Sequence, residues 1–201
     1  MKTIYDLKPA FQELLRPVVR ELARRGVTAN QVTVAAVVLS VFQGAALAAW
    51  PDSRWPLLLM PGVLFLRMAL NAIDGMLARE HGMKTPLGAL LNELGDVFSD
   101  AVLYLPLALV DGVGAAWIVG IVLVSVVGEM TGVIAVQMGG ARRYDGPLGK
   151  SDRAFAFGIL ALVLGLGVAP GSWLDYVLGG LLGLAAVTVL NRARHAVQGA
   201  A

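Results

Sequence analysis

The sequence predicts an all-α integral membrane protein, with six transmembrane helices preceded by an N-terminal amphipathic juxtamembrane helix. Three observations predict it. First, hydrophobic residues make up 57% of the 201-residue chain and charged residues 15%, where a soluble domain carries about a quarter charged; mean hydropathy is +0.72. Second, apolar runs recur at 31–50, 56–78, 86–110, 113–138, 154–170 and 173–190, each near the roughly 20 residues that cross a hydrocarbon core of about 30 Å. Third, 15 of the 16 Lys and Arg residues fall on one side of that arrangement, with Arg54 alone opposite. The positive-inside rule makes that side cytoplasmic and places both termini there, as in a multi-pass inner-membrane protein.

Residues 5–25 come first. Leu7, Phe11, Leu14, Leu15, Val18, Leu22 and Ala23 recur at helical spacing, with Glu13, Arg16, Arg20 and Arg24 between them. That pattern reads as a helix lying on the cytoplasmic membrane surface. Met1–Gly26 is charged throughout and lacks a compact apolar core, so it is not expected to be a signal peptide. Thr28 or Asn30 can cap the first span. The chain therefore divides into 1–30, an interfacial helix and linker, and 31–201, a six-helix transmembrane domain. Gly179 and Gly183 are small residues that let membrane helices approach closely. Without cysteine there is no disulfide, thiolate metal site or thiol nucleophile. No nucleic-acid partner is expected; the basic residues follow the membrane topology.

Spans 2 and 3 carry charge where lipid is expected, and ionisable groups at that depth usually mark a site. If the two form an antiparallel hairpin turning near residue 83, Asn71 meets Asp96, Asp74 meets Asn92, Arg79 meets Gly88 and Arg67 meets Asp100. At about 1.5 Å rise per residue the cluster lies roughly 10–20 Å inward from the turn. Asp74, Asp96, Asn71 and Asn92 offer only oxygen donors, the set that hard cations such as Mg²⁺ prefer. Gly75 and Ala78 leave room for a ligand against the backbone, and Arg79 can grip a phosphate with its planar fork. Arg67–Asp100 reads as a structural ion pair. Glu93 either points away or serves as a spare ligand.

These residues resemble the signature of the CDP-alcohol phosphotransferase family, Asp-x₂-Asp-Gly-x₂-Ala-Arg-x₈-Gly-x₃-Asp-x₃-Asp. Here the positions are Asn71, Asp74, Gly75, Ala78, Arg79, Gly88, Asn92 and Asp96, six of eight matching with every spacing intact. The resemblance implies a membrane enzyme of phospholipid synthesis that moves a phosphatidyl group from CDP-diacylglycerol to an alcohol and releases CMP. It implies Asp74 as a metal ligand and Asp96 as metal ligand or general base, with Mg²⁺ or Mn²⁺. Gly75, Ala78, Arg79 and Gly88 line the nucleotide, and Lys150 and Arg153, in a segment like the family's basic Gly-Lys segment, meet a donor or acceptor phosphate. It also implies a homodimer.

Asn71 and Asn92 depart from the signature, and that version resembles a bacterial branch of the family. Three readings stay open: one tightly held metal or a second that binds only with the donor; Glu93, Asp100 or Glu129 as a substitute carboxylate; or lost catalysis in a lipid-binding homologue. A CDP-aminoalcohol:diacylglycerol phosphotransferase shares the signature. A transporter relaying charge through Asp74, Asp96, Arg67 and Glu129 leaves the Gly75, Ala78, Arg79 and Gly88 spacing unexplained. Among acceptors, Arg142, Arg143, Lys150 and Arg153 favour a phosphorylated alcohol.

Overall fold

The computed structural model describes residues 4–199 and is helical throughout. Helix α1 (Ile4–Arg24) ends at Gly26, whose φ of +76° turns the chain. Its inner face packs on α3: Val19, Leu15, Leu22 and Ala23 meet Ile73, Met76 and Leu77. Arg16 reaches Glu80 at 2.5 Å and ties α1 to the end of α3. Leu14, 73% exposed, and Val18, 47% exposed, face outward.

Helix α2 (Ala29–Ala49) starts in a capping box. The Gln31 amide donates to the Thr28 hydroxyl at 3.3 Å, and the Thr28 amide donates to Gln31 Oε1 at 2.9 Å. Two orphan donors at the helix start are thereby satisfied. Helix α3 (Arg54–Glu80) is followed by α4 (Pro86–Tyr104), which Thr85 caps with Pro86 in the first turn. A 3₁₀ turn over Leu105–Leu109 leads to α5 (Ala115–Gln137). Helices α6 (Lys150–Gly165) and α7 (Ser172–Gln198) complete the chain.

Helix α2 packs against both α3 and α4, α6 packs on the other side of α3, and α5 pairs with α7. The α2–α4 crossing is tight because Gly44 carries no side chain: a Cβ there would run into the Val102 carbonyl. The apolar core sits away from the polar end. Leu47, Met60, Leu103, Ile118 and Leu174 gather around Tyr104 and Phe157, whose rings stack at 4.3 Å.

The expectation of six transmembrane helices is corrected here. Among the described residues, four helices are long and apolar enough to cross a membrane: α2, α3, α5 and α7. The apolar run 86–110 is longer than its helix, because α4 stops at Tyr104 and a 3₁₀ turn takes over. That helix also carries Glu93, Asp96 and Asp100. The run 154–170 likewise overshoots: α6 has only 16 residues and ends at Gly165, just before Gly167 turns the chain with φ of +95°. The fold is an all-helical, multi-span membrane arrangement.

Candidate active site

The polar residues of α3 and α4 face each other across a groove rather than along a packed hairpin. The α3 and α4 backbones do not pack closely on each other; α2 packs on both and forms the floor. Thr33 of α2 is buried there, and its hydroxyl donates to Asp74 Oδ2 at 2.7 Å. Asp74 is therefore oriented by a third helix, not by Asn92 as the hairpin register predicts.

Two of the register pairings are present. Asn71 Nδ2 donates to Asp96 Oδ1 at 3.3 Å. Arg67 Nη1 donates to Asp100 Oδ1 at 2.6 Å, and its Nη2 donates to the Asp96 backbone carbonyl at 3.1 Å. Lys150 Nζ pairs with the same Asp96 Oδ1. Asp96 Oδ2 accepts no hydrogen bond among the described residues. Lys150 arrives here because it opens α6, whose start is fixed by Asp152 Oδ2 accepting from the Gly149 amide at 2.9 Å.

Arg79 and Gly88 are not brought together. The Arg79 guanidinium lies over Gly75, where an added Cβ would stand 3.1 Å from both terminal nitrogens. Arg79 is exposed, with no hydrogen-bond partner among the described residues. Gly88 faces Asn30 of α2; a Cβ would stand 2.6 Å from Asn30 Oδ1. Ala78 is half-buried on the same turn as Arg79, and Asn92 is half-buried on α4.

Arg153 lies deeper, 3% exposed. Its Nε and Nη2 donate to Asp100 Oδ2 at 3.0 and 2.8 Å, and Nη2 also reaches Glu129 Oε1 at 3.0 Å. Glu129 Oε2 is met by Arg142 Nη2 at 2.9 Å and by Arg192 Nη1 at 3.1 Å. Arg142 also forks onto Glu93 at 3.0 and 2.9 Å. Burial works against the Arg142 charge, but its hydrogen bonds to Glu93 and Glu129 outweigh that and hold the guanidinium above its usual range. Sequence reasoning missed Thr33, took Asn30 only as a possible helix cap, and counted Arg192 only as a topological charge. All three lie on other helices, far from the signature in sequence.

The donor set tests which metal the groove fits. It is all oxygen: one free oxygen on Asp96, Asp74 held from one side, and the amides of Asn71 and Asn92. Such a set suits a hard divalent cation. No three His, Asp or Glu side chains come together as a metal cluster among the described residues. Glu93, Asp100 and Glu129 are each engaged by arginine. The residues fit one ion better than a carboxylate-rich pair.

Comparison with known proteins agrees with this geometry. Residues 26–190 match the CDP-alcohol phosphatidyltransferase family. The inner membrane protein YnbA of Escherichia coli strain K12 is 47% identical over 166 residues, 82% of this chain and 81% of that protein. The fold is shared with crystal structures of Mycobacterium tuberculosis phosphatidylinositol phosphate synthase at 23% identity. The form with CDP-DAG bound gives a TM-score of 0.75 over 90% of this chain and 92% of that one. The form with manganese and citrate gives 0.74 over 90% and 88%. Because the matched segment runs from the turn before α2 into α7 and takes in Thr33, both aspartates, Lys150 and Glu129, this chain belongs to the CDP-alcohol phosphatidyltransferase family.

Proposed function

We propose that the protein transfers a phosphatidyl group from CDP-diacylglycerol to an alcohol, with release of CMP, in the groove between α3 and α4. The observation that carries this reading is the pair Asp74 and Asp96. Asp74 is held by Thr33 of α2 and Asp96 by Asn71 of α3 and Lys150 of α6, in helices apolar enough that an unused carboxylate is costly, and Arg79 on α3 is exposed over Gly75.

A divalent cation, Mg²⁺ or Mn²⁺, held by Asp74 and Asp96 with the Asn71 and Asn92 carbonyls, supplies Lewis-acid stabilisation of charge on the leaving diphosphate. Thr33 fixes the Asp74 carboxylate. Arg79 grips the donor diphosphate with its planar fork, and Gly75 keeps the space into which that fork folds. Ala78 and Gly88 let the nucleotide approach the backbone. Asp96 takes the proton of the acceptor hydroxyl. The freed oxygen forms a bond to the diacylglycerol-linked phosphorus, the bond from that phosphorus to the bridging oxygen breaks, and CMP leaves with the electron pair. Lys150 stands beside Asp96, where it can meet a substrate phosphate. Arg153 acts through Asp100 and Glu129 as a positioning residue.

The Lys and Arg residues of 1–30 and of the turn between α3 and α4 support a cytoplasmic active site beside the N-terminus. The outward Leu14 and Val18 support α1 as an interfacial helix on that surface, with residues 31–201 as the catalytic unit. Asn71 and Asn92 mark the bacterial branch that works with fewer carboxylates. The test is Asp96→Ala in purified protein with labelled CDP-diacylglycerol: CMP release is lost and donor binding is retained. Full activity in that variant removes Asp96 from the reaction.

A further inference from the structure

Three guanidiniums converging on one point form the seat that phosphate prefers, since each planar fork matches a tetrahedral oxyanion. Arg142, Arg153 and Arg192 converge in this way behind the groove. The group in the seat is Glu129, a side chain of the same protein, with contacts of 2.9, 3.0 and 3.1 Å. We propose that Glu129 is a built-in anion that fills this phosphate seat, so that the acceptor is an alcohol carrying no phosphate. This rests on the transferase reading above and narrows its substrate class.

The arginines have little left to offer. Arg153 Nη1 donates to the Leu148 carbonyl at 3.3 Å and its other donors go to Asp100 and Glu129. Arg192 donates to the Asp145 carbonyl at 3.1 Å and the Gly128 carbonyl at 2.8 Å. Arg142 Nη1 donates to the Arg143 carbonyl at 2.6 Å. Arg153 and Arg192 are 3% and 1% exposed, so water does not compete for them. A phosphate entering the seat must expel a carboxylate held by two charge-assisted hydrogen bonds and a third ion pair, or settle against it as a like charge. The cavity beside it, lined by Tyr104, Ser125 and Glu129, has a volume of about 10 Å³, the size of one water. The sequence taken alone points the other way, because a count of basic residues in the α5–α6 segment does not show which are already paired.

The test compares acceptors in matched pairs, with purified protein, CDP-diacylglycerol and Mg²⁺: glycerol against glycerol 3-phosphate, and inositol against inositol phosphate. The expected result is a kcat/KM at least about tenfold higher for the unphosphorylated member of a pair, and no rise in Tm with 10 mM inorganic phosphate, an order-of-magnitude expectation for one excluded charge. Glu129→Gln keeps the seat filled but removes its charge: the like-charge bar to an entering phosphate falls, and the preference narrows by about tenfold or reverses. Wild-type protein that prefers the phosphorylated members, or is stabilised by inorganic phosphate, overturns the proposal. The wild-type arms decide the question even if Glu129→Gln does not fold. If no alcohol yields CMP, the transferase reading fails, while the phosphate-binding arm still reports on the seat.

Discussion

Asp96 and Asp100 stand one helical turn apart on α4 and live in different electrostatic worlds. Both Asp100 oxygens are taken, one by Arg67 and the other by Arg153. Asp96 accepts one hydrogen bond, from Asn71 on Oδ1, and none on Oδ2. The same contrast holds across the molecule. The network of Arg67, Arg153, Arg192, Asp100 and Glu129 is closed and buried, whereas Asp74, Asp96 and Arg79 keep unused donors and acceptors that face a groove. Chemistry needs a free lone pair or an unshared proton, so the open set is the reactive one and the closed set is the frame. Residue type does not separate them; the carboxylates of the closed set are fully engaged, although Arg67 keeps one buried Nε–H without a partner.

The largest expected effect breaks the open set. Asp74→Asn keeps the Thr33 contact within reach but removes the charge, and CMP release falls by at least about 10²-fold. Tm in detergent stays level or rises, because a buried charge has been removed. A fall in Tm as large as the loss of activity would place Asp74 in the frame instead.

Next comes the closed set. Asp100→Ala leaves Arg67 and Arg153 buried without their shared partner. Removing one member of a buried ion pair costs about 3–5 kcal/mol. Unfolding measured by Tm or denaturant therefore shifts strongly, and whatever activity remains tracks the folded fraction. A specific activity per folded molecule that collapses while Tm holds would move Asp100 into the reactive group.

How much of this was legible in the sequence follows from the same distinction. Local signals read well: the Thr28 cap, the turn near residue 83, and a helix within each of the six apolar runs, although two of the runs overshoot their helices. The pairings Asn71–Asp96 and Arg67–Asp100 followed from equal depth on two antiparallel helices. Asp74–Asn92 and Arg79–Gly88 did not, because the start of α2 lies between them: Thr33 takes Asp74 and Asn30 stands against Gly88. Thr33 and Glu129 face the site from helices whose sequences carry no periodic signal for it. Hydropathy also overcounted the spans, since an apolar run continues through a 3₁₀ turn or a left-handed glycine that ends a helix.

A third test acts on α2 itself. Gly44→Ala pushes a methyl into the Val102 carbonyl, which is backbone and cannot swing aside. Overpacking of this kind costs about 1–3 kcal/mol, and α2, which also carries Thr33 to Asp74 on α3, shifts with it. Both Tm and kcat fall together. Normal activity in a destabilised protein would show that the groove tolerates a shifted floor.

The smallest effect separates frame from chemistry most cleanly, because the two move in opposite directions. Gly75 lies inside α3, where Ala is the better helix former by up to about 1 kcal/mol. The new methyl meets no backbone from another helix, only the Arg79 guanidinium at 3.1 Å. That guanidinium is the free end of a flexible, exposed side chain, so it swings away at little cost to the fold. What it loses is its place over the helix, from which it reaches the donor diphosphate. Gly75→Ala is therefore expected to raise Tm slightly while raising the KM for CDP-diacylglycerol about three- to tenfold, with kcat less affected, the signature of lost ground-state binding. Adding Arg79→Ala to Gly75→Ala should then change little further, since both act through one fork. If instead the two losses multiply, Gly75 serves the nucleotide directly and Arg79 grips the donor independently of it.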